Sequence, residues 1–379
     1  MNKRTVAASS LVVVLAAGAA VLGFQLFSER EPDGEQALGA VITPAKADPP
    51  SSPSPAASTT ESKSLDELVA KYGELPLIDS HNHDAASYAN LSKLPLLDYQ
   101  EIDKLVLFGD VSEPSAVYTD LAAWEAYKRN PDRIIPFFSG VNLLDESGLE
   151  TSRNNLEKGY FGIGELAAAS TNSPVLANVA WKTQHPMDGI LPDMYKLAAE
   201  YDVPLLLHID PPSGYPMDKL EEALRAYPET TIIFAHANAY STPDRVRRLL
   251  ADHPNLYADF FAGFTAFNPG SSHQLEDYVP VMKEFPDRFV LSTDSGYGLE
   301  GGYRKAVEAM YLMLDVLGDG ELVRKIAGAN MQALIDRQMA TETQLEQIRK
   351  LDEAAGVKRD LSKLTKAEAG NILIEAGKA

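Results

Sequence analysis

From Leu77 onward, short runs of apolar and often β-branched residues alternate with longer stretches whose apolar positions recur every three to four residues. The short runs are Leu77–Ser80, Lys104–Phe108, Ile134–Phe138, Phe161–Gly164, Val203–Leu207, Thr230–Ala235, Asn255–Phe260 and Arg288–Thr293. The periodic stretches include Leu191–Tyr201, Met217–Tyr227 and Thr242–His253, each of which reads as an amphipathic helix. Strands that are apolar almost throughout, joined by helical crossovers, predict a parallel sheet covered on both faces. Eight of them between residues 64 and 337 predict a closed (β/α)8 TIM barrel of the α/β class. An open doubly wound sheet competes with this reading, but no glycine-rich phosphate fingerprint follows any of the runs.

The two ends of the chain follow other patterns. Lys3 and Arg4 precede a stretch from Val6 to Phe27 that carries no charge, so residues 1–29 read as a secretory signal peptide or an uncleaved signal-anchor. Residues 30–63 hold six prolines among Ser, Ala, Thr and acidic residues without apolar periodicity, the pattern of an extended spacer. The expected location is therefore extracytoplasmic, secreted or anchored, with membrane contact only through the N-terminal segment. Residues 338–379 predict a small helical module. Thr341–Ala354 carries Leu345, Ile348 and Leu351 on one face, and Thr365-Lys-Ala-Glu has capping-box spacing. It is similar to a helical appendage found at the C-terminus of various bacterial proteins, and a solvated helix pair is expected.

Composition narrows the function. The chain has 379 residues, 54 acidic against 34 basic, for a formal net charge of −20. Such a surface repels phosphates, which argues against a nucleic-acid partner and for a small-molecule substrate. There is no cysteine. Thiolate catalysis and Cys-ligated zinc are therefore excluded, and any metal must be held by His and carboxylates.

Those residue types occur where a barrel places its chemistry. His81 and His83 end the first run, Glu165 the fourth, His208 the fifth, His236 the sixth and Asp294 the eighth. Active sites of such barrels lie at the C-terminal ends of the strands. Residues two apart on a strand point to one face, so His81 and His83 are expected to project together and Asn82 away from them. With His208 and Asp294 they form a His3Asp set suited to zinc or a similar divalent ion. Glu165 is either a bridge between two ions or a carboxylate orienting a ligand. His236 is either a ligand of a second ion or a metal-free acid/base group. His185 and His273 lie in loops on the same face and are candidate substrate contacts. His253 lies at the opposite face and is expected to be solvated.

The segments Ile78-Asp-Ser-His-Asn-His, Gly164-Glu-Leu, Pro204-Leu-Leu-Leu-His, Ile233-Phe-Ala-His-Ala-Asn and Leu291-Ser-Thr-Asp together resemble the amidohydrolase superfamily. The nearest branch is the amidohydrolase-related one, which also contains metal-dependent decarboxylases. Arg324-Lys-Ile-Ala-Gly-Ala-Asn330 resembles the segment closing the barrel there, and the likeness spans residues 74–337. It implies a divalent-metal enzyme with His81, His83, His208 and Asp294 at metal positions, and His236 at a catalytic or metal position. Many binuclear members carry a carboxylated lysine on strand four. This chain has Glu165, which favours one tight ion over two.

A divalent ion lowers the pKa of bound water from 15.7 to about 7 and polarises a carbonyl or phosphoryl oxygen. With Asp294 as proton carrier, the expected reaction is hydrolysis of an amide, ester, lactone or related bond. Decarboxylation is the alternative, and Arg304 is the candidate anchor for the substrate carboxylate it requires. A metal-containing binding protein without turnover is the alternative of another class.

Overall fold

The computed structural model describes residues 63–86, 101–211, 213–239, 241–318 and 320–379. The N-terminal segment and the linker expected up to residue 62 lie outside the described residues. Among those described, no helix is long and apolar enough to cross a membrane.

Eight strands pair in parallel in chain order: β1 (Ile78–Asn82), β2 (Lys104–Leu107), β3 (Ile134–Phe138), β4 (Gly162–Ala169), β5 (Leu205–Ile209), β6 (Ile232–Phe234), β7 (Leu256–Phe261) and β8 (Phe289–Ser292). The result is a nearly closed TIM barrel. Asp79 on β1 joins the two ends: its Oδ1 accepts the Thr293 backbone N–H at 3.0 Å, and its Oδ2 accepts the Thr293 hydroxyl at 2.7 Å. Burial, partly offset by these donors and those of Asn82 and His81, pushes the Asp79 carboxyl up to about 6.

Helices α1 (Leu65–Tyr72), α2 (Ala116–Arg129), α3 (Ser147–Lys158), α4 (Leu191–Glu200), α5 (Tyr215–Ala226), α6 (Pro243–Asp252), α7 (Ala262–Phe267), α8 (Leu275–Glu284) and α9 (Gly302–Leu317) surround the strands. One apolar core runs from Leu65 to Ile335. The three helices expected from periodicity are α4, α5 and α6, each within two residues of its expected ends.

Strand four differs most from its expectation. It continues five residues past Gly164, so Glu165 lies inside the strand and not at its end. The alanines at 167–169 carried no strand signal, yet all are fully buried. Gly164 makes the placement of Glu165 possible. Its φ is +131°, and a Cβ there would meet the Leu206 carbonyl oxygen at 2.5 Å. The register against β5 shifts between Ile163 and Leu166, which re-aims the side chain in between.

The C-terminal residues pack on the barrel in place of the solvated pair expected. They form α10 (Glu321–Arg324), a π turn over Lys325–Ala329, α11 (Asn330–Asp336), α12 (Glu342–Ala355) and α13 (Lys366–Glu375). Thr341 and Thr365 cap α12 and α13 through capping boxes. The Gln338 amide donates to the Phe161 carbonyl at 2.8 Å, and the Thr341 hydroxyl to that of Glu157 at 2.7 Å. Lys366 is fully buried and donates to the Tyr160 carbonyl at 3.2 Å. These contacts fall beside the start of β4, at the barrel end opposite the strand C-termini. His253, expected to be solvated, is 3% exposed at the end of α6.

Candidate metal centre

Two groups of ligand-type side chains meet in the barrel mouth. One is His81, His83 and Asp294; the other is Glu165, His208 and His236. The single shell expected for His81, His83, His208 and Asp294 is thus divided, because β8 and β1 adjoin on one side of the mouth while β4, β5 and β6 stand on another. Glu165 faces both groups. Its Oε2 lies 3.7 Å from His81 Nε2 and 3.4 Å from His83 Nε2. Its Oε1 lies 3.1 Å from His208 Nδ1 and 3.2 Å from His236 Nε2.

The hydrogen bonds behind each imidazole define which nitrogen faces inward. A carbonyl oxygen only accepts, so His83 donates Nδ1–H to Gly109 at 2.9 Å and turns a bare Nε2 to the mouth. His81 donates Nδ1–H to the Asp259 carboxylate at 2.8 Å, with the same outcome. Their two Nε2 atoms are 3.0 Å apart, with Asp294 Oδ1 at 3.5 and 3.7 Å. Two facing lone pairs at that distance call for a proton or a cation between them. Around one zinc, bonds of about 2.0–2.1 Å place neighbouring ligand atoms roughly 3.3 Å apart, so the set fits a divalent ion. In the second group His208 donates Nε2–H to Asp210 at 2.7 Å and presents Nδ1, 3.1 Å from His236 Nε2.

The electrostatics agree with this arrangement. Burial alone would raise the Glu165 carboxyl, but the imidazoles of His81, His208 and His236 hold it well below the usual carboxylate range. Burial alone would lower the histidines. Against it, Glu165, Asp259 and Asp294 hold His81 well above the ordinary imidazole value. His208 is pushed up to about 9 by Glu165 and Asp210. These imidazoles hold protons tightly when no other cation is present. His236 and Asp294 reach the mouth through left-handed backbone, with φ of +34° and +43°.

A cavity of about 380 Å³ opens over this cluster and is lined in part by His83, Glu165, His208, His236 and Asp294. The other candidate contacts stand apart from its lining. His185 accepts the Met187 N–H and stacks edge-on against Tyr215. His273 lies 3.6 Å from Asp277. Arg304 faces Glu101 at 3.7 Å. Two supporting carboxylates were not among the residues expected from the sequence. Asp259 interrupts the apolar run of β7, and Asp210 follows His208 by two residues, just past the end of β5; each position was a visible signal.

A family model described as Amidohydrolase matches residues 99–336. The chain belongs to the amidohydrolase family. No curated protein matches it by sequence. Among solved structures, an uncharacterized TIM-barrel protein of Bordetella bronchiseptica is similar at 14% identity and a TM-score of 0.50, over 68% of this chain and 97% of its own. A 2,6-dihydroxybenzoate decarboxylase from Rhizobium is 13% identical at a TM-score of 0.46, over 69% and 98%. A probable 2-pyrone-4,6-dicarboxylic acid hydrolase of Acinetobacter baumannii is 14% identical at 0.44, over 69% and 99%. At these identities the likeness concerns the fold. Members of this family generally use divalent metals, and the two ligand groups offer imidazole and carboxylate donors of the kind such an ion takes.

Proposed function

We propose that this chain is a hydrolase whose barrel mouth would hold two divalent ions, one at each ligand group, with Glu165 facing both. The observation that carries the count is the division of the two Glu165 oxygens between the two ligand groups. His81, His83 and Asp294 would hold one ion, and His208 and His236 the other. Zinc suits the imidazole-rich donors. When bound, the ions supply Lewis acidity, polarising a carbonyl oxygen and making water a better nucleophile.

The chain's own groups do the rest. Asp294 faces the cluster with Oδ1, and its other carboxylate oxygen takes the proton of the attacking water. The water oxygen bonds to the carbonyl carbon, the bond to the leaving oxygen or nitrogen breaks, and Asp294 returns the proton to that atom. Asp259 and Asp210 keep His81 and His208 in the ligand tautomer throughout. Hydrolysis is favoured over decarboxylation because no Lys or Arg lines the cavity among the described residues, and Arg304 faces Glu101. The uncharged run from Val6 to Phe27 supports placing this activity outside the cytoplasm.

Elemental analysis together with a substrate panel tests the reading. About two zinc-like ions per chain are expected. Hydrolysis of a p-nitrophenyl ester, a γ-lactone or an N-acyl amide should be lost on chelation and in Asp294→Asn. Release of carbon dioxide from 2,6-dihydroxybenzoate with no hydrolysis would replace the reading with decarboxylation.

A further inference from the structure

One wall of the cavity is apolar and firmly constructed. Val111, Ala167, Leu176 and Val179 form a small cluster of their own, separate from the barrel core. Val111 follows β2, Ala167 lies on β4, and Leu176 and Val179 belong to the loop after β4. Val111, Leu176 and Val179 line the cavity together with the 60%-exposed Val175. Phe261 and Phe264 add further apolar lining.

The loop is held from several sides. Thr183 donates its N–H to the Ala167 carbonyl at 3.1 Å and its hydroxyl to that of Ala168 at 2.8 Å. Trp181 N–H reaches the Ser112 carbonyl at 3.2 Å, and the Ser112 hydroxyl accepts the Ala167 N–H at 3.0 Å. Asp210, the partner of His208, also accepts the N–H groups of Thr171 and Asn172 at 2.6 Å. The wall is thus fastened to the same carboxylate that orients a ligand histidine.

Charge on this side disfavours an anion. Asp110 and Glu113 line the cavity, with the single Ser115 hydroxyl within hydrogen-bond distance of both carboxylates. Lys182, in the wall loop, directs its amine to the carbonyls of Ser170, Leu176 and Ala177 at 3.0–3.1 Å. Away from the histidine cluster, no Lys or Arg lines the cavity among the described residues.

We propose that the substrate carries an uncharged apolar acyl chain of several carbons, seated against Val111, Val175, Leu176 and Val179, and no second acidic group. This rests on the hydrolase reading and names its substrate class. Preformed clefts of this volume that are largely apolar with a few convergent polar groups commonly bind small ligands.

The test measures binding separately from turnover. Calorimetry on the full-length zinc-loaded protein compares acetohydroxamate, octanohydroxamate and succinate monohydroxamate, which share one chelating head. The octanoyl compound is expected to bind about 100-fold more tightly than the acetyl one, and the succinyl compound more weakly than either. Leu176→Asp, verified by metal content and melting temperature, should reduce the octanoyl-to-acetyl ratio to within about fivefold of unity. Val175→Lys, at an exposed position where folding is not at stake, should raise succinyl affinity about fivefold or more. Octanoyl binding no tighter than acetyl, or succinyl binding tightest in the parent protein, overturns the inference. Tight octanoyl binding without cleavage of p-nitrophenyl octanoate upholds the acyl site and removes the hydrolase reading. Cleavage of acetyl and octanoyl esters at equal kcat/KM does the reverse.

Discussion

The Oδ2 atom of Asp259 accepts Nδ1–H of His81 at 2.8 Å and also the backbone N–H of His236 at 2.9 Å. One oxygen on β7 therefore orients the His81 imidazole of one ligand group and fixes the backbone of His236 in the other, while the buried Oδ1 of the same residue has no partner among the described residues. Asp259→Asn keeps the shape but removes the charge that makes His81 a stronger base. Metal affinity should fall about 10–100-fold, as is usual when the partner of a ligand histidine is altered. Competition with a chelator of known affinity measures the loss, and an unchanged circular dichroism spectrum separates it from unfolding.

Glu165→Gln tests the bridge. With a carboxylate shared between two ions, metal content should fall from about two per chain to about one, because an amide offers a single weakly basic oxygen. Elemental analysis reads the stoichiometry directly. Content that stays at one in both parent and variant would return Glu165 to a ligand-orienting role.

Acidity acts in opposite directions on the metal-free and metal-loaded protein. In the metal-free protein His81, His83 and His208 are held above the ordinary 6.5, His208 at about 9. Raised imidazoles contribute stability that is complete below about 6.5 and lost as pH rises through their folded values, which for His208 is about 9. Glu165, held low, contributes above its ordinary 4.5 and loses that contribution as pH falls through its folded value. In a Lys366→Met background, which removes an amine whose contribution runs the other way, the melting temperature of chelator-treated protein should therefore decline from about pH 6.5 toward pH 9. Metal requires the same imidazoles unprotonated, so the rise in melting temperature on adding zinc should grow over that range. Calorimetric scans at paired pH values measure both trends.

Lys366 offers a separate test far from the mouth. Burial lowers its amine to about 7, with Asp202 and Glu157 only partly opposing. The unfolded chain takes up this proton below about 10.5 and the folded chain only below about 7, so folding stability drops as pH falls between those values. Lys366→Met should stabilise the protein by about 2–4 kcal/mol at pH 7, after allowance for the lost bond to Tyr160. Near pH 10.5 the gain should disappear. Denaturant titrations at the two pH values decide it.

Much of the barrel and its mouth was legible in the amino-acid pattern. The eight apolar runs became eight strands because a parallel barrel buries both faces of each strand and so removes the alternation that would blur a half-exposed one. His81 and His83 converge because strand periodicity is local, and their spacing of two is sufficient. Other features were hidden. The continuation of β4 through Ala167 carries no β-branched signal, and the burial of Lys366 depends on where the C-terminal residues dock. The positions of His185 and His273 depend on loop paths, and that of Arg304 on how α9 docks, which no local pattern encodes.

The amino-acid sequence determined the strand order, the residue types available for metal, and the end of the barrel where they gather, because chain order around a parallel barrel becomes angular position. It could not determine which of those residues group together in the mouth. That division rests on the β4–β5 register shift, the Gly164 conformation that directs Glu165 inward, and the left-handed backbone at His236 and Asp294. Each is set by closure of the barrel and by hydrogen bonds between segments distant in the chain, and local periodicity carries no record of either.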